Sequence, residues 1–295
     1  MIVISKKSGT GWKLKLSTSV LVGVVAAACS SGPKPEPVVT GAGPKAGSTV
    51  PLPVGAGKDG ESGGASVTGA GIQKYANLSE ALRGSKTLNV QDEAARILVA
   101  NPEDVVALNA LAMWNYRQKK IGAAKLLLAR AIEKGQPNAS IHNNYGLMLL
   151  SEGDELAAAE HFKKALRLDE GHAEANANLG SHYAKGGDWK KALPRLERAW
   201  TAGRQDSSIA NNYALSLKGE GDHEKARQVF EDAAKRNNKD PILLLNYASL
   251  LIETMNRPKE GLPLVYRVKF LETERKDVLN RANVLERKAS GTSTP

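Results

Sequence analysis

Asn144, Asn178, Asn212 and Asn246 lie 34 residues apart, one after another. Around two of them the same phrase recurs: "NNYGL" from Asn143 and "NNYAL" from Asn211, 68 residues later. A fixed period of this length constrains the fold more than any other feature of the chain. Equivalent residues need equivalent surroundings, so the units must stack as an array in which each touches only its neighbours.

The rest of each unit supports this. In the unit that starts at Ala139, Tyr145 and Gly146 are followed by Leu149, Ala158, Phe162 and Ala165. The unit from Ala173 carries Leu179, Gly180, Tyr183, Ala192, Leu196 and Ala199 at the same places. The unit from Ser207 carries Tyr213, Ala214, Leu217, Ala226, Phe230 and Ala233. Small residues at Gly146, Gly180 and Ala214 let two helices approach closely, and Phe162 and Phe230 fill the space between units. "SEGDE", "AKGGDW" and "KGEGDH" separate the two helices of each unit, with Gly at the C′ position of the first and Asp capping the second. A looser unit runs from Val105 through Leu108, Leu111, Ala112, Ala124, Leu128 and Ala131. Another starts at Pro241 with Leu244, Tyr247, Ala248 and Leu251; its second helix slips by one residue, to Gly261 and Val265.

This pattern resembles the tetratricopeptide repeat, W-x2-L-G-x2-Y, then A-x3-F, then Pro. The resemblance covers about 170 residues as five repeats: 105–138, 139–172, 173–206, 207–240 and 241–275. It implies an all-α solenoid of helix–turn–helix units. Residues 71–104 read as a degenerate helical pair ending at "ANPED". Residues 276–288 read as a capping helix with Val278, Leu279, Ala282 and Leu285 on one face, before a disordered tail at 289–295.

In the family, the second, fifth, sixth, ninth and twelfth places of the first helix line the concave face. By that resemblance the candidate binding groove holds Asn109, Asn143 and Asn211 at the fifth place and Asn144, Asn178, Asn212 and Asn246 at the sixth. Met113, Tyr116, Leu147, Leu150, Leu215, Leu245 and Ile252 are its apolar members. Two readings stand for the asparagines: they hold the backbone of an extended peptide, or they serve helix packing. The apolar residues likewise either meet a partner or are buried by neighbouring helices. The carboxylate clamp of the chaperone-binding members, Lys at the fifth place with Asn at the ninth, is missing from every repeat.

The N-terminal part is of another kind. "LSTSVLVGVVAAA", Leu16–Ala28, is uncharged and too short to span a bilayer, which needs about 20 residues. It fits the apolar core of a signal peptide over residues 1–28. Cys29, the only cysteine, follows directly, and "AAAC" resembles a bacterial lipobox whose thiol is acylated (as with palmitate). Ser30 after it, by the same resemblance, directs the lipoprotein to the outer membrane, with the array on the periplasmic side. From Ser30 to Ala70 there are ten Gly and six Pro in 41 positions. With no apolar period, 29–70 reads as a lipidated Cys and a disordered tether. "VGAGKDG" in this stretch lacks the first Gly and the hydroxyl after Lys58 that a phosphate loop needs.

The chain of 295 residues carries a net charge of +10. Without Lys6, Lys7, Lys13 and Lys15 of the leader, 37 basic residues face 31 acidic ones, interleaved along the chain. Interleaving argues against a nucleic-acid surface. His142, His161, His172, His182 and His223 fall at five different repeat places with no metal spacing, and no nucleophile elbow occurs. The expectation is a non-catalytic, membrane-anchored adaptor that binds envelope proteins, without metal or cofactor. Resemblance to outer-membrane tetratricopeptide lipoproteins of type IV pili and gliding motility points to a motility machine. The alternative is a docking module for cell-wall hydrolases or synthases.

Overall fold

The computed structural model describes residues 69–84, 89–134 and 138–291. The signal peptide, Cys29 and the tether before residue 69 lie outside the described residues, as do the last four positions of the tail. Among the described residues there are helices and no strands.

The helices come in antiparallel pairs. First are α1 (Gly69–Leu82) and α2 (Val90–Ala100), then α3 (Val105–Arg117) and α4 (Ile121–Glu133). Next come α5 (Ala139–Ser151) with α6 (Glu155–Leu168), α7 (Ala173–Lys185) with α8 (Trp189–Thr201), and α9 (Ser207–Gly219) with α10 (His223–Arg236). α11 (Pro241–Ser249) continues into a π-helical turn, Leu250–Thr254, and pairs with α12 (Pro258–Leu271); α13 (Lys276–Ala289) closes the array. Each first helix from α3 to α11 starts at the residue where the 34-residue register starts, so the period is one helical pair.

The close approaches occur at the small residues. A Cβ on Gly146 would lie 2.6 Å from Cε1 of Phe162, and one on Gly180 would lie 2.7 Å from Cγ of Leu196. The turns between paired helices use the expected chemistry. Gly153, Gly187 and Gly221 take φ of +87°, +74° and +89°, a region costly for other residues. The next residue caps: Asp154 accepts from the Ala157 amide (3.0 Å), Asp188 from Lys191 (3.2 Å) and Asp222 from Lys225 (3.1 Å).

The one-residue slip in the fifth repeat has a structural form. The π-turn absorbs one extra residue inside the first helix, a wider coil that α-helices accept as a local bulge. Asn256 (φ 53°) then takes the left-handed turn position, one residue late. Gly261 restores the register, with Ile252 against the place where its Cβ would be.

Both ends are tied by carboxylates, Asp104 buried and Glu253 half-buried. Asp104 caps α3 through the Ala107 amide (2.9 Å) while accepting from Lys74 (2.5 Å) and Tyr75 (2.8 Å) of α1. Burial alone would raise its pKa, but Lys74, the Ala107 amide and Tyr75 together hold it below the usual carboxylate range. At the other end Glu253 of the π-turn accepts from Ser249 (2.6 Å), Lys288 (2.5 Å) and Arg281. α13 buries Val278, Ala282 and Leu285 and leaves most of its other positions polar, as a solenoid end requires. Leu279, expected on the buried face, is only partly covered.

Candidate protein-binding groove

The first helices α3, α5, α7, α9 and α11 lie side by side, and their fifth and sixth places meet. Asn144 Nδ2 donates to Asn109 Oδ1 across two repeats (2.8 Å). Asn178 Nδ2 donates to Asn143 Oδ1 (2.9 Å), and Asn246 Nδ2 to Asn211 Oδ1 (2.8 Å). Within a helix, Asn143 Nδ2 reaches Asn144 Oδ1 (3.3 Å) and Asn211 Nδ2 reaches Asn212 Oδ1 (3.5 Å). The asparagines are therefore rungs of an amide ladder that joins successive repeats.

Burial agrees with that geometry. Asn109, Asn143, Asn144, Asn211 and Asn246 expose between 2% and 7% of their surface. Asn178 and Asn212 are half-buried. In a dry contact an unmade amide bond costs about 1–3 kcal/mol, so each rung specifies the stacking register as much as it adds stability. For the five deeply buried members, the packing reading describes what the side chains touch. Sequence spacing of 34 showed the row; the bonds cross at spacing 35, from a sixth place to the fifth place before it, which a one-residue shift conceals.

The apolar members are sorted in the same way. Met113, Leu147 and Leu215 are buried, at 3%, 6% and 7% exposure, and belong to the core between adjacent repeats. Leu245 and Ile252 are buried under the C-terminal elements. Of the two readings for these residues, burial by neighbouring helices describes these five: consecutive first helices pack in direct contact and close over the ninth place. Tyr116 and Leu150 stay half-buried, and the Tyr116 hydroxyl sits 3.0 Å from Ser151 Oγ of the next repeat. Cys29 lies outside the described residues.

A histidine pair went unnoticed in the sequence, because its members belong to different helices at unrelated repeat places. His142 of α5 and His161 of α6 approach Nδ1 to Nδ1 at 3.3 Å, and Tyr145 packs on His161 with ring centroids 4.6 Å apart. One imidazole must donate and the other accept, which holds only while the accepting nitrogen is unprotonated. Burial, then Lys164, then His142 push His161 down to about 4. Burial, Lys164 and Arg167 likewise lower His142. Among the described residues no group of three or more metal-ligating side chains converges.

Family profiles described as tetratricopeptide repeat match residues 109–173, 149–214 and 207–240. The chain carries tetratricopeptide repeats. Among curated relatives, 76 residues are 37% identical to the probable biofilm formation methyltransferase WspC of Pseudomonas putida, covering 26% of this chain and 18% of that protein. The TPR repeat-containing protein YpiA of Bacillus subtilis is 32% identical over 122 residues, 41% of this chain and 28% of that one. The chain thus spans less than a third of either relative, and the methyltransferase name describes that protein alone. An uncharacterized lipoprotein of Treponema pallidum is 24% identical over 149 residues, 49% of this chain and 74% of the relative.

Solved structures share the fold. YrrB, titled a TPR protein with an unusual peptide-binding site, superposes with a TM-score of 0.55 at 19% identity, covering 64% of this chain and 97% of that one. Pseudomonas aeruginosa pilF gives a TM-score of 0.52 at 20% identity, covering 68% and 89%. At these identities the tetratricopeptide array itself is what is shared. Tetratricopeptide arrays generally mediate protein–protein interactions, which is consistent with a scaffold or adaptor.

Proposed function

We propose that this chain is a lipid-anchored, non-catalytic scaffold of a bacterial envelope assembly, serving a motility machine such as a gliding apparatus or a type IV pilus. A partner segment lies along the side of the array where α3, α5, α7, α9 and α11 meet. The observation that carries this reading is the row of half-buried groups left on that side, Tyr116, Leu150, Asn178 and Asn212, beside amides already committed to one another. A peptide-sized ligand can meet hydrogen-bonding and apolar groups there without unmaking the rungs. The lipobox at Cys29, the tether after it and the similarity to a Treponema lipoprotein support the anchored form.

Site-directed photocrosslinking in living cells tests both parts. A crosslinker at Tyr116 or Asn212 should capture a motility component, whereas one at Lys163, on α6, should not. Cys29→Ser should abolish fatty-acid labelling. Capture from Lys163 alone would overturn the groove reading, capture of cell-wall hydrolases or synthases would overturn the motility assignment, and unchanged labelling would overturn the anchor.

A further inference from the structure

The amide ladder is interrupted once. At two of the three intact crossings the fifth-place asparagine uses both ends of its amide. Asn143 donates to Asn144 Oδ1 in its own helix and accepts from Asn178 of the next repeat; Asn211 donates to Asn212 Oδ1 and accepts from Asn246. In the repeat between them the fifth place is Ala177. Two groups lose their partner as a result. Asn178 Oδ1 receives no donor, and Asn212 Nδ2 finds no acceptor, among the described residues. No buried side-chain nitrogen or oxygen there is unsatisfied, so both groups reach solvent. Exposure marks the same spot: Asn178 and Asn212 are the two half-buried members of a row whose other members are buried.

We propose that this gap is a recognition site for a carboxamide side chain, an Asn or Gln of the partner segment, which supplies the missing rung. Its Nδ2 or Nε2 donates to Asn178 Oδ1 and its carbonyl oxygen accepts from Asn212 Nδ2. The required group carries a donor and an acceptor on the same carbon, which is how a side-chain carboxamide is built. A single trans peptide group does not match, because it points N–H and C=O in opposite directions. The N–H and C=O of one extended residue do point the same way, and binding indifferent to the Asn or Gln side chain would show that they fill the gap instead. A carboxylate has no hydrogen for Asn178 Oδ1, and an ammonium has no acceptor for Asn212 Nδ2. An apolar side chain would leave both amides desolvated and unpaired. The proposal rests on the groove reading and adds to it a chemical preference at one position.

The test uses the full chain in detergent and a phage-displayed library of random linear 12-residue peptides. Selected binders should share an Asn or Gln, and changing that residue to Glu or Leu should weaken binding about ten-fold or more, as the loss of two hydrogen bonds predicts. Ala177→Asn should close the ladder from within, weaken the same peptides about ten-fold and keep the thermal melt at or above the parent's. Should that side chain not be accommodated, Asn212→Ala removes the donor and should weaken the same peptides. Tyr116→Ala, elsewhere in the groove, separates the two readings. Binders lacking any shared carboxamide, or indifferent to both Ala177→Asn and Asn212→Ala while sensitive to Tyr116→Ala, would overturn the carboxamide site and leave the groove standing. Binders indifferent to all three variants, or no binders, would overturn both.

Discussion

The turn joining α7 to α8 and the turn joining α3 to α4 follow nearly the same backbone path with different residues. At the first, Gly187 takes φ +74° and Asp188 (φ −83°, ψ 71°) caps the helix. At the second, Lys119 takes φ 60° and Lys120 (φ −87°, ψ 63°) makes no side-chain cap. The central repeats specify their turns locally. The first full repeat has its turn imposed by packing, since Ala124, Leu128 and Ala131 are buried to the same degree as their equivalents in α6 and α8. A non-glycine residue is then held in the left-handed region because the two helices it joins are docked on both sides. The contrast shows that periodic packing carries the repeat, and that turn chemistry refines it where present.

The largest effect expected from breaking this comparison lies in the central packing. Gly180→Val would drive a methyl into Leu196 and should destabilise the array by about 2–3 kcal/mol, seen as a lower circular-dichroism melt. The same change at Gly122, which has open space around its Cβ position, should leave the melt nearly unmoved.

A smaller effect should appear on acidification. His161 titrates near 4 in the fold against 6.5 for a free imidazole, so the unfolded chain binds its proton first. Stability is then constant above about pH 6.5 and falls as pH drops from 6.5 toward 4, by about 1–2 kcal/mol from this residue. His161→Gln should remove that part of the acid sensitivity in parallel denaturant melts at pH 7 and pH 5; equal slopes for parent and variant would show the pair is not the source.

The smallest effects concern the uncapped turn. Lys120→Asp places a capping carboxylate on a backbone that already has the geometry of Asp188 and should stabilise by about 1 kcal/mol. Lys119→Gly should add about 0.5 kcal/mol, since the left-handed strain relieved, about 1–2 kcal/mol, exceeds the extra chain entropy of about 0.5–1 kcal/mol that glycine loses on folding. Both gains should vanish in a fragment lacking α5 and α6 if neighbours, and not the turn, hold the present conformation.

The order of helices, the small residues at close approaches, the Gly–Asp turns and the slip in the fifth repeat were all readable from spacing alone. Those features depend on residues near one another in the chain, where a period of 34 and the rules of helix ends suffice. The π-turn was visible only as a register shift, because one extra residue can be absorbed in a helix or in a loop with the same spacing. The fate of the asparagines was decided by tertiary structure. Whether Asn144 faces a ligand or Asn109 depends on how closely α3 and α5 pack, and that distance is set by side chains from two repeats at once. The burial of Met113, Leu147 and Leu215 and the meeting of His142 with His161 have the same origin. So does the gap above Ala177: alanine there is unremarkable as a residue, and becomes a missing partner only once Asn178 and Asn212 are brought to either side of it.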